Sequence, residues 1–144
     1  MPTPTPIARR RTDPGDGAAA VRRVLAALDA DGRAPERADL RTAGRFLCEE
    51  LAARVPGRAV EVRIPPYAVV QCVTGPRHTR GTPPNVVETD PVTWVELATG
   101  RCSWAQAAHD GRLRASGDRA DLSPHLPLLP LHPHPDHPSS PTQA

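Results

Sequence analysis

Where the prolines stand bounds what this chain can fold. Of 19 prolines in 144 residues, four lie in residues 1–14 and six in residues 127–144. Proline has no backbone N–H and a fixed φ, so dense proline fits neither a helix interior nor a central strand. Residues 1–15 also carry too little apolar material to offset the entropy of ordering them. The sequence therefore predicts a disordered N-terminal tail over 1–15, one domain over 16–126 and a disordered Pro/His-rich tail over 127–144. One domain is also what this length allows.

Several function classes fall away on composition. The only aromatic residues are Phe46, Tyr67, Trp94 and Trp104, too few to build a stacking platform for single-stranded nucleic acid. The formal net charge is +2, and the one dense basic cluster is Arg9, Arg10 and Arg11. Duplex binding needs a stripe that neutralises several phosphates, so no nucleic-acid partner is expected. Cys48, Cys72 and Cys102 are an odd number at unpatterned spacing, which suits neither a disulfide framework nor a cysteine zinc site and points to a reducing cytoplasm. No apolar run approaches the roughly 20 residues of a membrane span, and the N-terminus alternates Pro and Thr with no apolar signal core. The expectation is a soluble cytoplasmic protein without stable membrane insertion.

The hydrophobic period then changes along the chain. Val21, Val24, Leu25 and Leu28 recur at helical spacing behind Asp16 as a candidate N-cap. Leu40, Gly44, Leu47, Leu51 and Val55 define a second helix of about four turns that Pro56-Gly57 ends. Val60, Val62 and Ile64 next alternate with Glu61 and Arg63, a strand with one wet face. Pro65-Pro66 turns the chain into Ala68–Thr74, whose few polar positions predict a central strand. Residues 75–85 form a Gly, Pro and basic loop, and Val86–Thr89 a short third strand. Asp90-Pro91 starts a helix with Trp94, Leu97 and Ala98 inward and Gly100 at its C-terminal end. Ser103 opens another helix in a capping-box pattern with Gln106, closing at Gly111. Leu113 and Ala115 alternate in a last strand, followed by a turn carrying Leu122 and Leu126. This order predicts an α+β domain with helices packed on one face of a mainly antiparallel sheet.

The segment DPVTWVELATGRCSWAQAAHDGRLRASGDRADLSPHL, residues 90–126, resembles the end of the sterol-carrier-protein family, with Gly100, Ala107, Gly111, Leu113, Gly117, Asp118 and Leu122 in matching places. The preceding run RAVEVRIPPYAVVQCVTGPRHTRGTPPNVVETD is similar to the short bacterial subgroup, and also to the carboxy-terminal domain of thiol-dependent maleylpyruvate isomerases. The resemblance implies a five-stranded sheet backed by helices and an apolar tunnel for a fatty-acyl chain or sterol. Val70, Cys72, Val87, Trp94, Leu97, Trp104 and Leu113 are the candidate walls. Arg77, His78 and Arg80 are the candidate ligands of a carboxylate or phosphate head group. The same apolar residues equally describe a solid core, with Ala98, Ala105, Ala107, Ala108, Gly111 and Ala115 allowing close packing of helix on sheet.

Other constellations carry less. The loop GPRHTRGTPPN is either an anion cradle or a solvated hairpin loop whose arginines pair with Glu88 or Asp90; it lacks the Lys and the strand-to-helix context of a phosphate-binding loop. A Cys72–His78 nucleophile has no orienting acid, and Cys72 lies in the most apolar strand. His125, His132, His134 and His137 sit in a proline-rich segment without a fixed set of supporting groups, so neither a metal site nor a cofactor is expected. The expected function is a non-catalytic sterol-carrier-like domain that binds or carries a fatty-acyl or sterol-like lipid. The alternative is an accessory scaffold that docks a protein partner through the basic loop or the Pro-rich tail. Isomerase activity is not expected, because the metal-binding helical bundle of those enzymes precedes the shared domain and residues 1–57 are too short and contain no His.

Overall fold

The computed structural model describes residues 11–30, 33–76 and 85–131. Helix α1 (Pro14–Asp29) buries Val21, Val24 and Leu25, as the spacing predicts. Its cap is Asp13 rather than Asp16: the Asp13 carboxylate accepts the N–H of Asp16 at 3.0 Å, and Pro14 takes the first helical position, where no N–H is needed. Helix α2 (Arg37–Arg54) buries Ala43, Phe46, Leu47, Cys48 and Leu51. The two helices meet where the Phe46 ring lies on Gly17, so closely that a Cβ on Gly17 would stand 2.3 Å from the ring.

The sheet comprises β1 (Val60–Ile64), β2 (Ala68–Cys72), β3 (Asn85–Thr89) and β4 (Leu113–Ser116) in the order β2-β1-β3-β4. Two expectations are corrected here. Among the described residues the sheet has four strands, not five, and it is mixed: β1 pairs antiparallel with β2 but parallel with β3, in the register Val62↔Val87, and β3 pairs antiparallel with β4. The chain leaving β2 returns on the far side of β1, so β3 runs in the direction of β1. The strand read as central is an edge. Val69 is 62% exposed and Gln71 is exposed, because β2 has one wet face despite its apolar composition. The central position belongs to β1.

One face of the sheet carries the core. Val60, Val62, Ile64, Cys72, Val87, Thr89 and Leu113 point inward and are buried. On the opposite face the register sets Arg63 beside Glu88 and Glu88 beside Arg114, an alternation of sign suited to water. The helices therefore cover one face only, as expected. Helix α3 (Pro91–Thr99) is capped by Asp90, which accepts the Thr93 N–H at 3.0 Å and the Thr93 hydroxyl at 2.6 Å; Gly100 closes it at φ 81°. Helix α4 (Trp104–His109) is capped by Ser103, which accepts the Gln106 N–H at 3.1 Å. Of the six small residues expected between helix and sheet, Ala98 and Ala107 are buried. Ala105, Ala108, Gly111 and Ala115 are exposed, because α4 is short and β4 is the other edge.

Packing extends beyond the boundary expected at residue 126. The N–H groups of Leu128 and Leu129 both donate to the Ala98 carbonyl, at 2.8 and 2.9 Å, and Leu128 is buried. The last carbonyls of a helix have no partner within it, and here the chain after α3 supplies their donors. Arg54 at the end of α2 donates to the Leu128 carbonyl and ties this segment to a second helix.

Candidate functional site

A cleft of about 490 Å³ lies between α2 and the edge strand β2. Its walls are Tyr67, Ala68, Val69 and Val70, with Cys48 at its base and Arg11, Arg45 and Glu49 at its rim. A second cleft of about 410 Å³ shares Tyr67, Ala68 and Val69 and extends to Arg63 and Pro65-Pro66. Together they follow the start of β2 round its free edge. The local sequence explains this shape. Pro65 and Pro66 end β1, the Tyr67 N–H closes the turn on the Ile64 carbonyl at 2.8 Å, and three short apolar residues then leave space that larger side chains would fill.

The polar groups at the rim are held in place. Arg41, Arg45 and Glu49 follow one another at intervals of four on α2 and so share a face. Arg45 Nε donates to the Tyr67 carbonyl at 3.2 Å, and the Arg41 guanidinium stands 5.9 Å from the centre of the Tyr67 ring. Glu49, on the same rim, accepts from Thr12, at 2.9 Å from the N–H and 3.4 Å from the hydroxyl.

The thiols beneath are held protonated. Burial, reinforced by Cys72 and Glu49 and opposed by a hydrogen bond from Trp94, pushes Cys48 up to about 12. Burial pushes Cys72 up to about 11. Because these folded-state values lie above the ordinary thiol value of 9.0, ionisation favours the unfolded chain as pH rises. The stability they contribute is complete below pH 9 and is lost progressively from there towards about pH 11 and 12. Urea titrations should show this decline, and Cys48→Ala with Cys72→Ala should flatten it. On the far side of the domain Cys102 is also raised by burial, against the opposing effect of Arg112, whose Nη2 lies 2.9 Å from the sulfur.

The structure divides the residues expected to form a site. Val70 lines the cleft, and Cys72 lies buried on the same strand. Val87, Trp94, Leu97 and Leu113 belong to one continuous buried cluster, with Trp104 half-buried against it. Arg77, His78 and Arg80 lie outside the described residues. Sequence reasoning missed Arg41, Arg45 and Tyr67. The signal available was a pair of arginines one turn apart on α2, but only the approach of β2 to that helix gives the pair a cleft to face.

Residues 36–128 match the family model described as bacterial SCP ortholog. The chain belongs to this bacterial sterol-carrier-protein family. The matched span runs from the residue capping α2 to Leu128, so it takes in α2 and extends beyond the resemblance seen over residues 58–126. Within it lie both walls of the cleft. Helix α1 lies outside the span, although it packs against both α2 and α3. No curated protein matches the chain significantly. Among the described residues no three His, Cys, Asp or Glu side chains are grouped to hold a metal, and no helix is long and apolar enough to cross a membrane.

Proposed function

We propose that this sterol-carrier-family chain is a non-catalytic domain that holds a fatty-acyl or sterol-like lipid in the cleft between α2 and β2. The observation that carries this reading is the cleft itself. Its volume of about 490 Å³ falls within the span usual for small-molecule sites, roughly 300–1,000 Å³, and its walls are apolar with a few fixed polar groups at one side. Family membership supports the lipid class, and the cleft lies wholly within the matched span apart from Arg11 and Thr12. The protonated state of Cys48 and Cys72 supports a binding role over nucleophilic chemistry, since the thiolate is the reactive form.

Native mass spectrometry of the full chain with palmitate or cholesterol, paired with thermal shift, tests this. A 1:1 adduct and a raised melting temperature are expected. Ala68→Trp, which sets an indole in the half-buried wall of the cleft, should weaken binding by about tenfold or more while the free chain still melts cooperatively. An unchanged mass and melting temperature with every fatty acid and sterol tried would count decisively against a lipid carrier. One observation favours a second reading, a scaffold that docks a protein partner: Val69 is an exposed apolar residue on an edge strand, the kind of surface that a partner strand can extend. Capture of a partner that is lost on Val69→Lys but indifferent to lipid would support the scaffold instead.

A further inference from the structure

Resting on the lipid reading, we infer that the ligand carries an anionic head group and that Arg45, with Arg41 and Arg11 beside it, is the group that selects it. On a helix the residue four positions after an arginine is its nearest counter-ion, and for Arg45 that residue is Glu49. The structure withholds this partner. Both Glu49 oxygens accept from Thr12, and no carboxylate among the described residues lies within ion-pair distance of Arg45, Arg41 or Arg11.

Arg45 is also oriented. Its Nε is committed to the Tyr67 carbonyl, which fixes the plane of the guanidinium at the rim of the cleft and leaves the two terminal nitrogens for a planar or tetrahedral anion. Arg41 over the Tyr67 ring places a second like charge one turn away. Two adjacent guanidinium groups repel each other, and an anion between them relieves that repulsion. The apolar walls begin immediately beyond them at Ala68, Val69 and Val70. A charged rim against a short apolar trough fits a molecule with a carboxylate or phosphate at one end and a hydrocarbon at the other.

The experiment compares palmitate with methyl palmitate, which has the same chain without the charge, by titration calorimetry at pH 8 in low salt. Palmitate should bind about tenfold or more tightly, and the preference should shrink as salt rises. Arg41→Ala with Arg45→Ala should abolish the preference, and Arg45→Lys should retain only part of it, because an ammonium lacks the fixed fork. A 1-palmitoyl lysophosphatidate arm distinguishes the two anions: binding stronger than palmitate assigns a phosphate head group, and weaker binding a carboxylate. Equal affinity for acid and ester overturns the inference while leaving the lipid reading standing. Loss of the preference in Arg77→Ala/Arg80→Ala, with the Arg41/Arg45 variant unaffected, overturns the assignment to α2. Absence of binding by all three ligands removes both.

Discussion

Trp94→Ala lowers the stability of the domain by about 3–5 kcal/mol, the range for truncating a large buried aromatic residue. Trp94 is 1% exposed and is the largest fully buried side chain among the described residues. It stands on α3 and reaches α2, where its Nε1–H donates to the Gly44 carbonyl at 3.2 Å. Truncation leaves a cavity where α2, α3 and the sheet meet, and it also strips a buried carbonyl of its donor. For a domain between the 100- and 150-residue classes each kcal/mol shifts the melting temperature by about 3–5 °C, so a fall of roughly 10–25 °C is expected by calorimetry. Trp94→Phe separates the two contributions: it keeps most of the apolar contact and loses the donor, at a cost of about 1–3 kcal/mol. A melting temperature unchanged in Trp94→Ala would show that the indole does not hold the helix layer. Trp104, read from the sequence as equally inward, is half-buried on the short α4 and should cost less when truncated.

Gly57→Ala is expected to cost about 3 kcal/mol or more, at the upper end of what overpacking and backbone strain impose. Gly57 has φ +148°, and a Cβ there would stand 2.0 Å from the Val73 carbonyl oxygen and 2.5 Å from the Thr74 nitrogen. The neighbours are backbone atoms held on both sides. The Val73 N–H donates to the Val55 carbonyl at 2.8 Å, the Ala59 N–H to the Val73 carbonyl at 3.0 Å, and the Thr74 hydroxyl to the Pro56 carbonyl at 3.1 Å. Val73 itself sits at φ 67°, a conformation a β-branched residue rarely adopts, so this crossing is already strained. An added methyl group must break one of these bonds or move α2 away from the end of β2. Gly111→Ala is the control: φ is +73°, yet nothing lies within 4 Å of its Cβ, so only the backbone conformation is penalised, by about 1–2 kcal/mol. Urea denaturation of the two variants should separate them clearly, and equal midpoints would show that the crossing at Gly57 yields.

Local features were legible in the sequence because their causes are local. The inward faces of α1 and α2, the wet face of β1, the caps at Asp90 and Ser103 and the left-handed closure at Gly100 each depend on a few consecutive residues, and all stand in the structure. The family was legible too, through the resemblance of residues 58–126 to it. Over residues 127–131 composition was a poorer guide. Pro127 and Pro130 flank leucines that pack on α3, and what orders them is a pair of open carbonyls at Ala98 and Thr99 that no reading of the tail reveals.

What the sequence alone determined, then, was which segments are helix or strand and which side of each is apolar, since periods of 3.6 and 2 are properties of the chain itself. Only the tertiary structure decided the neighbours. That β3 pairs with β1 rather than β2, that β2 is therefore an edge despite its apolar composition, and that this edge faces the Arg41–Arg45 side of α2 all depend on contacts between residues far apart in the chain. A strand's own pattern records how much of it is buried, not which strand lies beside it. The cleft exists because of that choice of neighbour, and so the residues that line it could be named only once the sheet had been assembled.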